Sequence, residues 1–221
     1  MRAVIFDIDG TLLDSVDLHA KAWVEAFRHF GVETEEAEVR RQIGKGGDQL
    51  MPVFLSDEQV AKQGDEISSY RSDLFKRDYL DKVRPFPAVR PLFERIRREG
   101  LTIALASSGK KDEVEHYQKL LGIGDLVDVA TSSDDADRSK PHPDIFQAAI
   151  GKLEGLSASD MIVIGDTPYD AEAAQKAGLA TVGVLCGGFP ESDLSQAGCI
   201  AIYRDPQDIL DGFESSPLRK G

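Results

Sequence analysis

Val4-Ile5-Phe6-Asp7-Ile8-Asp9-Gly10-Thr11-Leu12-Leu13-Asp14-Ser15 begins as an apolar run and stops abruptly at two aspartates separated by one residue. A run this short and this apolar reads as a buried strand that delivers carboxylates to its own C-terminal edge. Alternate strand residues point to opposite faces, but past the last ladder bond the chain turns, and Asp7 and Asp9 can then face one cleft. Gly10-Thr11 supplies the turn.

Working outward, the period changes at once. Residues 16–30 carry Leu18, Ala22, Trp23, Ala26, Phe27 and Phe30 at helical spacing and stop at Gly31. Helical patterns continue over residues 35–41, 48–55 and 57–79, with Gly44-Lys45-Gly46-Gly47 as a flexible turn and no convincing strand. Val83-Arg84-Pro85-Phe86-Pro87 ends the block, because proline disfavours helix in the residue before it. Strand and helix patterns then alternate: helices over 89–98, 111–121, 143–153 and 168–177, strands over 101–106, 127–130, 161–164 and 181–185. Alternation with near-continuous apolar strands predicts a parallel sheet covered on both faces. The expected architecture is an α/β Rossmann-like core, residues 1–15 and 83–221, with an inserted α-helical cap, residues 16–82. Residues 215–221 are expected to be disordered.

The totals narrow the function. Thirty-nine acidic against 26 basic residues, a net charge of -13, oppose nucleic acid or an anionic membrane as partners unless a local basic pocket intervenes. Cys186 and Cys199 are too few for a disulfide framework and lack zinc-site spacing, so reduced thiols in a cytoplasmic protein are expected. The apolar run before Asp7 is neither a signal peptide nor a membrane span. No exposed apolar helix face stands out, so a monomer is the default.

In an open parallel sheet, ligands bind beyond the C-terminal ends of the strands. The polar residues found there are Asp7 and Asp9, Ser107-Ser108-Gly109, Ser139-Lys140-Pro141-His142-Pro143, and Gly165-Asp166-Thr167-Pro168-Tyr169-Asp170. Clustered carboxylates stay ionised together only beside a cation, and an oxygen-only set suits Mg²⁺. Lys140, the Ser107 hydroxyl and the backbone amides of Ser108 and Gly109 are donors suited to phosphate oxygens. The ensemble fits phosphoryl transfer better than proton abstraction or hydride transfer. Asp134, Asp135 and Asp137 read as a solvated acidic loop and stay outside the site.

This pattern resembles the haloacid dehalogenase-like hydrolase superfamily. Asp7-x-Asp9-Gly-Thr is similar to its first motif, Ser107 to its second, Lys140 to its third and Gly165-Asp166-x-x-x-Asp170 to its fourth, in that order. The resemblance implies that Asp7 is the nucleophile forming an aspartyl-phosphate and that Asp9 is the general acid and base. It further implies that Ser107 and Lys140 bind the phosphoryl group, and that Asp7, Asp166 and the Asp9 backbone carbonyl hold Mg²⁺ with Asp170 behind them.

Asp9 itself argues against the dehalogenase branch, since a halide leaving group needs no proton. Asp14-Ser15-x-x-x-His19-x-x-x-Trp23 resembles the beta-phosphoglucomutase and phosphoglycolate or sugar phosphatase branch, and it puts His19 within reach of the cleft. The substrate implied is a small phosphorylated metabolite. Mutases of that branch anchor a second phosphate with a cap-loop arginine, but no arginine follows Gly44-Lys45-Gly46-Gly47. Hydrolysis is therefore preferred, with a sugar-phosphate mutase as the alternative. A phosphonate hydrolase using Lys45 as a Schiff base and a non-catalytic sensor rank lower. Arg41, Lys45 and Gln49 are the expected specificity positions.

Overall fold

A computed structural model describes residues 1–219. In chain order the first half runs β1 (Ala3–Phe6), β2 (Leu13–Asp14), α1 (Val16–His29), α2 (Glu36–Arg40), α3 (Gly47–Phe54), α4 (Asp57–Asp78) and β3 (Arg84–Pro85). There follow α5 (Val89–Arg98), β4 (Thr102–Ala106), α6 (Lys111–Leu121), β5 (Val129–Thr131), α7 (Asp144–Lys152) and β6 (Met161–Gly165). The chain closes with α8 (Pro168–Lys176), β7 (Ala180–Val184), α9 (Glu191–Gln196), β8 (Ala201–Tyr203) and α10 (Pro206–Asp211).

Six strands form one parallel sheet in the order β5-β4-β1-β6-β7-β8. All four residues of β1 are fully buried, as its uninterrupted apolar run requires. Val4 and Phe6 pack on one face with Phe93, Ile96 and Tyr117 from α5 and α6. Ala3 and Ile5 pack on the other with Phe146, Ala149 and Ala173 from α7 and α8. After β1 the chain builds β4 and β5 to one side, then crosses to build β6, β7 and β8 to the other. The order reverses beside β1, which opens a crevice at the C-terminal strand ends.

The inserted helices α1 to α4 have an apolar cluster of their own around Trp23, Phe27, Leu50 and Ile67. Where the chain leaves and re-enters the sheet domain, β2 and β3 pair antiparallel, Leu13 opposite Pro85 and Asp14 opposite Arg84. Two-residue strands carry no readable period, so nothing in the sequence announces them. On the far side, Gly46 N–H donates to Ser139 Oγ (2.8 Å) and Ser139 N–H to Asp48 Oδ2 (3.1 Å). Tyr169 O–H donates to the Arg41 carbonyl (2.7 Å) and Arg40 Nη2 to the Gly187 carbonyl (3.1 Å).

Two expectations need correction. The C-terminal segment is not a disordered tail through residue 219: Leu218 is fully buried in the main core with Phe213, an anchor that one leucine among serines does not advertise. Residues 220–221 lie outside the described residues. β8 with its flanking α9 and α10 was also not foreseen, because Ala201–Tyr203 is only three residues long and half-buried on the sheet edge.

Candidate functional site

The floor of the crevice is built from the ends of β1, β4 and β6. Asp7 follows β1 directly, its backbone N–H held by the Ile164 carbonyl at 2.9 Å, so the neighbouring strand fixes where its side chain emerges. Its Oδ1 meets Lys140 Nζ and its Oδ2 accepts from Thr11 Oγ1 at 3.2 Å. Lys140 is fully buried and also reaches Asp170 Oδ1 at 2.8 Å and the Ala106 carbonyl at 3.2 Å. Thr11 Oγ1 lies 3.0 Å from Asp166 Oδ1, bridging the first and fourth stretches singled out in the sequence.

Burial decides the electrostatics here. It raises the Asp7 carboxyl to about 7, even though Lys140 pulls the other way, with Asp170 and Asp9 adding repulsion. Burial likewise lifts Asp166 well above the ordinary carboxylate value, with Asp7 and Asp170 adding to it. For Lys140 burial works against the ammonium, but Asp170 and Asp7 outweigh it and hold the group charged. Asp170 is set by an N-terminal capping box of α8: its N–H donates to Thr167 Oγ1 at 3.2 Å, and its Oδ2 accepts from Thr167 N–H at 3.1 Å.

Asp9 turns aside. Its Oδ1 accepts from Ser15 Oγ at 2.6 Å and from His19 Nε2 at 2.9 Å, while Arg71 donates to His19 Nδ1. That contact makes Nδ1 the acceptor and puts the imidazole proton on Nε2, facing Asp9. Burial alone would raise the Asp9 carboxyl, but His19, Ser15 and Arg71 hold it below its ordinary value.

Residues 4–184 match the family model described as haloacid dehalogenase-like hydrolase. The chain belongs to this family. Among relatives, a phosphoglycolate phosphatase of Yersinia pseudotuberculosis is 34% identical over 192 residues, covering 85% of this chain and 82% of the relative. A phosphorylated carbohydrates phosphatase of Thermotoga maritima is 26% identical, covering 95% of this chain and 97% of its own. The crystal structure of a hydrolase from Pseudomonas syringae superposes with a TM-score of 0.88 at 30% identity, covering 97% of this chain and 98% of that one.

Within this haloacid dehalogenase-like framework, the acidic floor suits a hard cation. One oxygen from each of Asp7, Asp166 and Asp170 lies within 4.8 Å of the others. Asp166 Oδ2 is buried without a hydrogen-bond partner among the described residues, and the chain is cut away around it. A Cβ at Gly187 would sit 1.7 Å from that oxygen, and one at Gly10, whose φ is +84°, 2.3 Å. Both Asp170 oxygens are already engaged, by Lys140 and Thr167, so this residue serves best as support behind the other two. The Asp9 carboxylate points to Ser15 and His19, leaving its backbone carbonyl as the group it could offer a metal.

The remaining candidates divide. Ser107 Oγ accepts from Gly109 N–H at 3.0 Å, which leaves its own proton free to donate. Ser108 borders the inner recess of the cleft, of about 70 Å³, together with Asp7, Asp9 and His19. Lys45 reaches the same recess, but its Nζ donates to Gln42 Oε1 at 2.7 Å and sits 4.5 Å from the centre of the Tyr169 ring. Arg41 and Gln49 are not in the cleft: Arg41 borders a separate groove with Val53 and Phe54, and the Gln49 amide binds Asp48 at 3.0 Å. Asp135 pairs with Lys152 at 2.7 Å, away from the site.

Arg71 and Glu113 were missed. Both border the inner recess and an outer cavity of about 260 Å³, and both come from charge-rich helices where one more Arg or Glu reads as solvated surface. In the sequence Thr11 stands out only as part of a motif. Its position four residues after Asp7 on a tight turn was the available signal.

Proposed function

We propose that this chain is a Mg²⁺-dependent phosphatase that hydrolyses a small phosphomonoester through an aspartyl-phosphate on Asp7. The observation that carries the reading is the division of labour between two nearby acids: Asp7 is desolvated against Lys140 on the floor, while Asp9 is held aside by Ser15 and His19. An Asp7 oxygen attacks phosphorus, the bond from phosphorus to the alcohol oxygen breaks, and Asp9, protonated once the negative charge of the ester is bound beside it, gives its proton to that oxygen. Water then attacks the phosphorus, its proton passes to Asp9, and the bond to Asp7 breaks to release phosphate. Lys140, paired with Asp7 and Asp170, sets a positive charge beside the transferring group, and Ser107 holds a phosphoryl oxygen, both set in place before the charge develops. Mg²⁺, held by Asp7, Asp166 and the Asp9 carbonyl with Asp170 behind them, would supply charge neutralisation on the transferring group.

Names of relatives point to phosphoglycolate and phosphorylated carbohydrates as the substrate range, and a cavity of about 260 Å³ suits molecules of that size. The test is phosphate release from a panel of such esters with and without Mg²⁺, alongside mass spectrometry of the acid-quenched enzyme. The expected outcome is metal-dependent turnover and a phosphoryl group on the peptide containing Asp7. Undiminished turnover by Asp7→Asn would overturn the reading, and isomer formation without free phosphate would replace it with a mutase.

A further inference from the structure

Glu113 stands on the first turn of α6 and is 4% exposed. Its Oε2 accepts from the Lys110 N–H at 3.3 Å, an ordinary helix-start contact. Its Oε1 is buried with no hydrogen-bond partner among the described residues, and the side chain borders both the inner recess and the outer cavity. One turn further on the same helix, the Tyr117 hydroxyl is buried close to Asp9 and Glu113. Ser108 Oγ, in the loop leading into α6, is likewise buried without a hydrogen-bond partner among the described residues. A buried carboxylate oxygen left unpaired is costly, and a protein retains one where something else supplies the donor. The floor already engages the phosphoryl group, so the donor belongs to the other half of the ester.

We infer that Glu113 is a specificity-determining residue that accepts a hydrogen bond from a hydroxyl on the substrate's alcohol portion and rejects a carboxylate there. The inference rests on the phosphatase reading and deepens it. A hydroxyl-bearing ester satisfies Oε1. A carboxylate-bearing ester brings a second negative charge against it in a desolvated recess. Substrates of the polyol type are thereby favoured over phosphoglycolate.

The test compares kcat/KM for glycerol 1-phosphate, phosphoglycolate and propyl phosphate in the wild-type protein, Glu113→Gln and Glu113→Ala, all with Mg²⁺. Ratios between esters within one protein cancel differences in folded fraction, and glutamine keeps an acceptor for the Lys110 N–H. The wild type is expected to favour glycerol 1-phosphate over phosphoglycolate by about tenfold or more, the worth of a hydrogen bond to a charged group. Glu113→Gln should cut that preference by about tenfold, mainly by admitting phosphoglycolate. Glu113→Ala should in addition lose the preference for glycerol 1-phosphate over propyl phosphate. Ratios that stay within about twofold of wild type, or a wild type that prefers phosphoglycolate, overturn the inference alone. So does a Glu113→Gln protein with unaltered melting and no turnover of any ester, since that assigns Glu113 to the chemistry. A wild type that hydrolyses none of these esters, nor p-nitrophenyl phosphate, overturns the phosphatase reading and this inference with it.

Discussion

The floor and the mouth of the cleft treat buried polar groups in opposite ways. On the floor, Lys140 touches both Asp7 and Asp170, Thr11 bridges Asp7 to Asp166, and Thr167 holds Asp170. Among the described residues, Asp166 Oδ2 is the floor oxygen with neither a hydrogen bond nor an ion pair, since Asp170 Oδ1 pairs with Lys140. Towards the mouth, Arg71 Nε, Ser108 Oγ and Glu113 Oε1 are all buried without hydrogen-bond partners among the described residues. An unmet buried group costs about 1–3 kcal/mol, so a cluster of them is a standing cost that a bound molecule can relieve. The difference separates what every phosphomonoester shares from what distinguishes one from another. On the proposed reading, the phosphoryl end would meet groups already arranged by one another, whereas the alcohol end would meet groups still in need of a partner.

Four measurements would break or sharpen that contrast. The largest effect is expected from Lys140→Met, which takes the cation from two buried carboxylates. Stability in urea should fall by about 3–5 kcal/mol, and phosphate release by at least about 100-fold. An unchanged unfolding midpoint would mean that the floor is not held together by this charge.

Metal dependence comes next. Because Asp166 Oδ2 is free, Mg²⁺ should raise the melting temperature by mass action, worth about 2.7 kcal/mol at a hundredfold excess over Kd, and a chelator should reverse the shift. Asp166→Asn should remove it, and a shift of full size in that variant would assign the metal elsewhere.

A smaller loss is expected from His19→Ala. It removes the ring that orients Asp9 but leaves Ser15 in place, so kcat should fall by about 10- to 100-fold with little change in KM. Equal losses in kcat and in binding of inorganic phosphate would instead mark His19 as a general packing residue.

The smallest effect concerns the seam between the inserted helices and the core. Burial would raise the Asp48 carboxyl, but hydrogen bonds from Ser139 and Gln49 hold it below its ordinary value. A depressed acid contributes stability above its unfolded value, about 4, and loses it as the pH falls through the lower folded value. Asp48→Asn should therefore melt slightly below wild type at pH 7, with the gap closing as the pH falls below about 4 through the lower folded value. A gap that persists in acid would rule out the carboxylate as its source.

Much of the floor was legible because parallel sheets announce themselves twice. Each strand is a short apolar run, and each is followed by the polar residues that a crevice at its C-terminal end would use. Asp7, Ser107 and Asp166 stand at such ends. Lys140 was readable only through the order of motifs, since it sits in a long loop and reaches the floor by the length of its side chain. Arg71 and Glu113 were not legible, for a different reason. They lie on amphipathic helices whose pattern shows that one face is buried, and not that part of that face borders a cleft. The same limit hid Leu218, an apolar residue whose burial depends on a groove made by distant segments.

The sequence by itself determined the parallel α/β sheet, the helical block after its first strand, and a set of acids, a lysine and a serine at the strand ends. Those follow from local period and chain order, which a linear string carries in full. Tertiary structure alone decided that Asp9 turns from Asp7 towards Ser15 and His19, that Arg71 stands behind His19, and that Glu113 keeps one oxygen unpaired. Side-chain direction at a shared cleft is set by what three or four separate segments leave open. That vacancy is a property of their packing and of no single stretch.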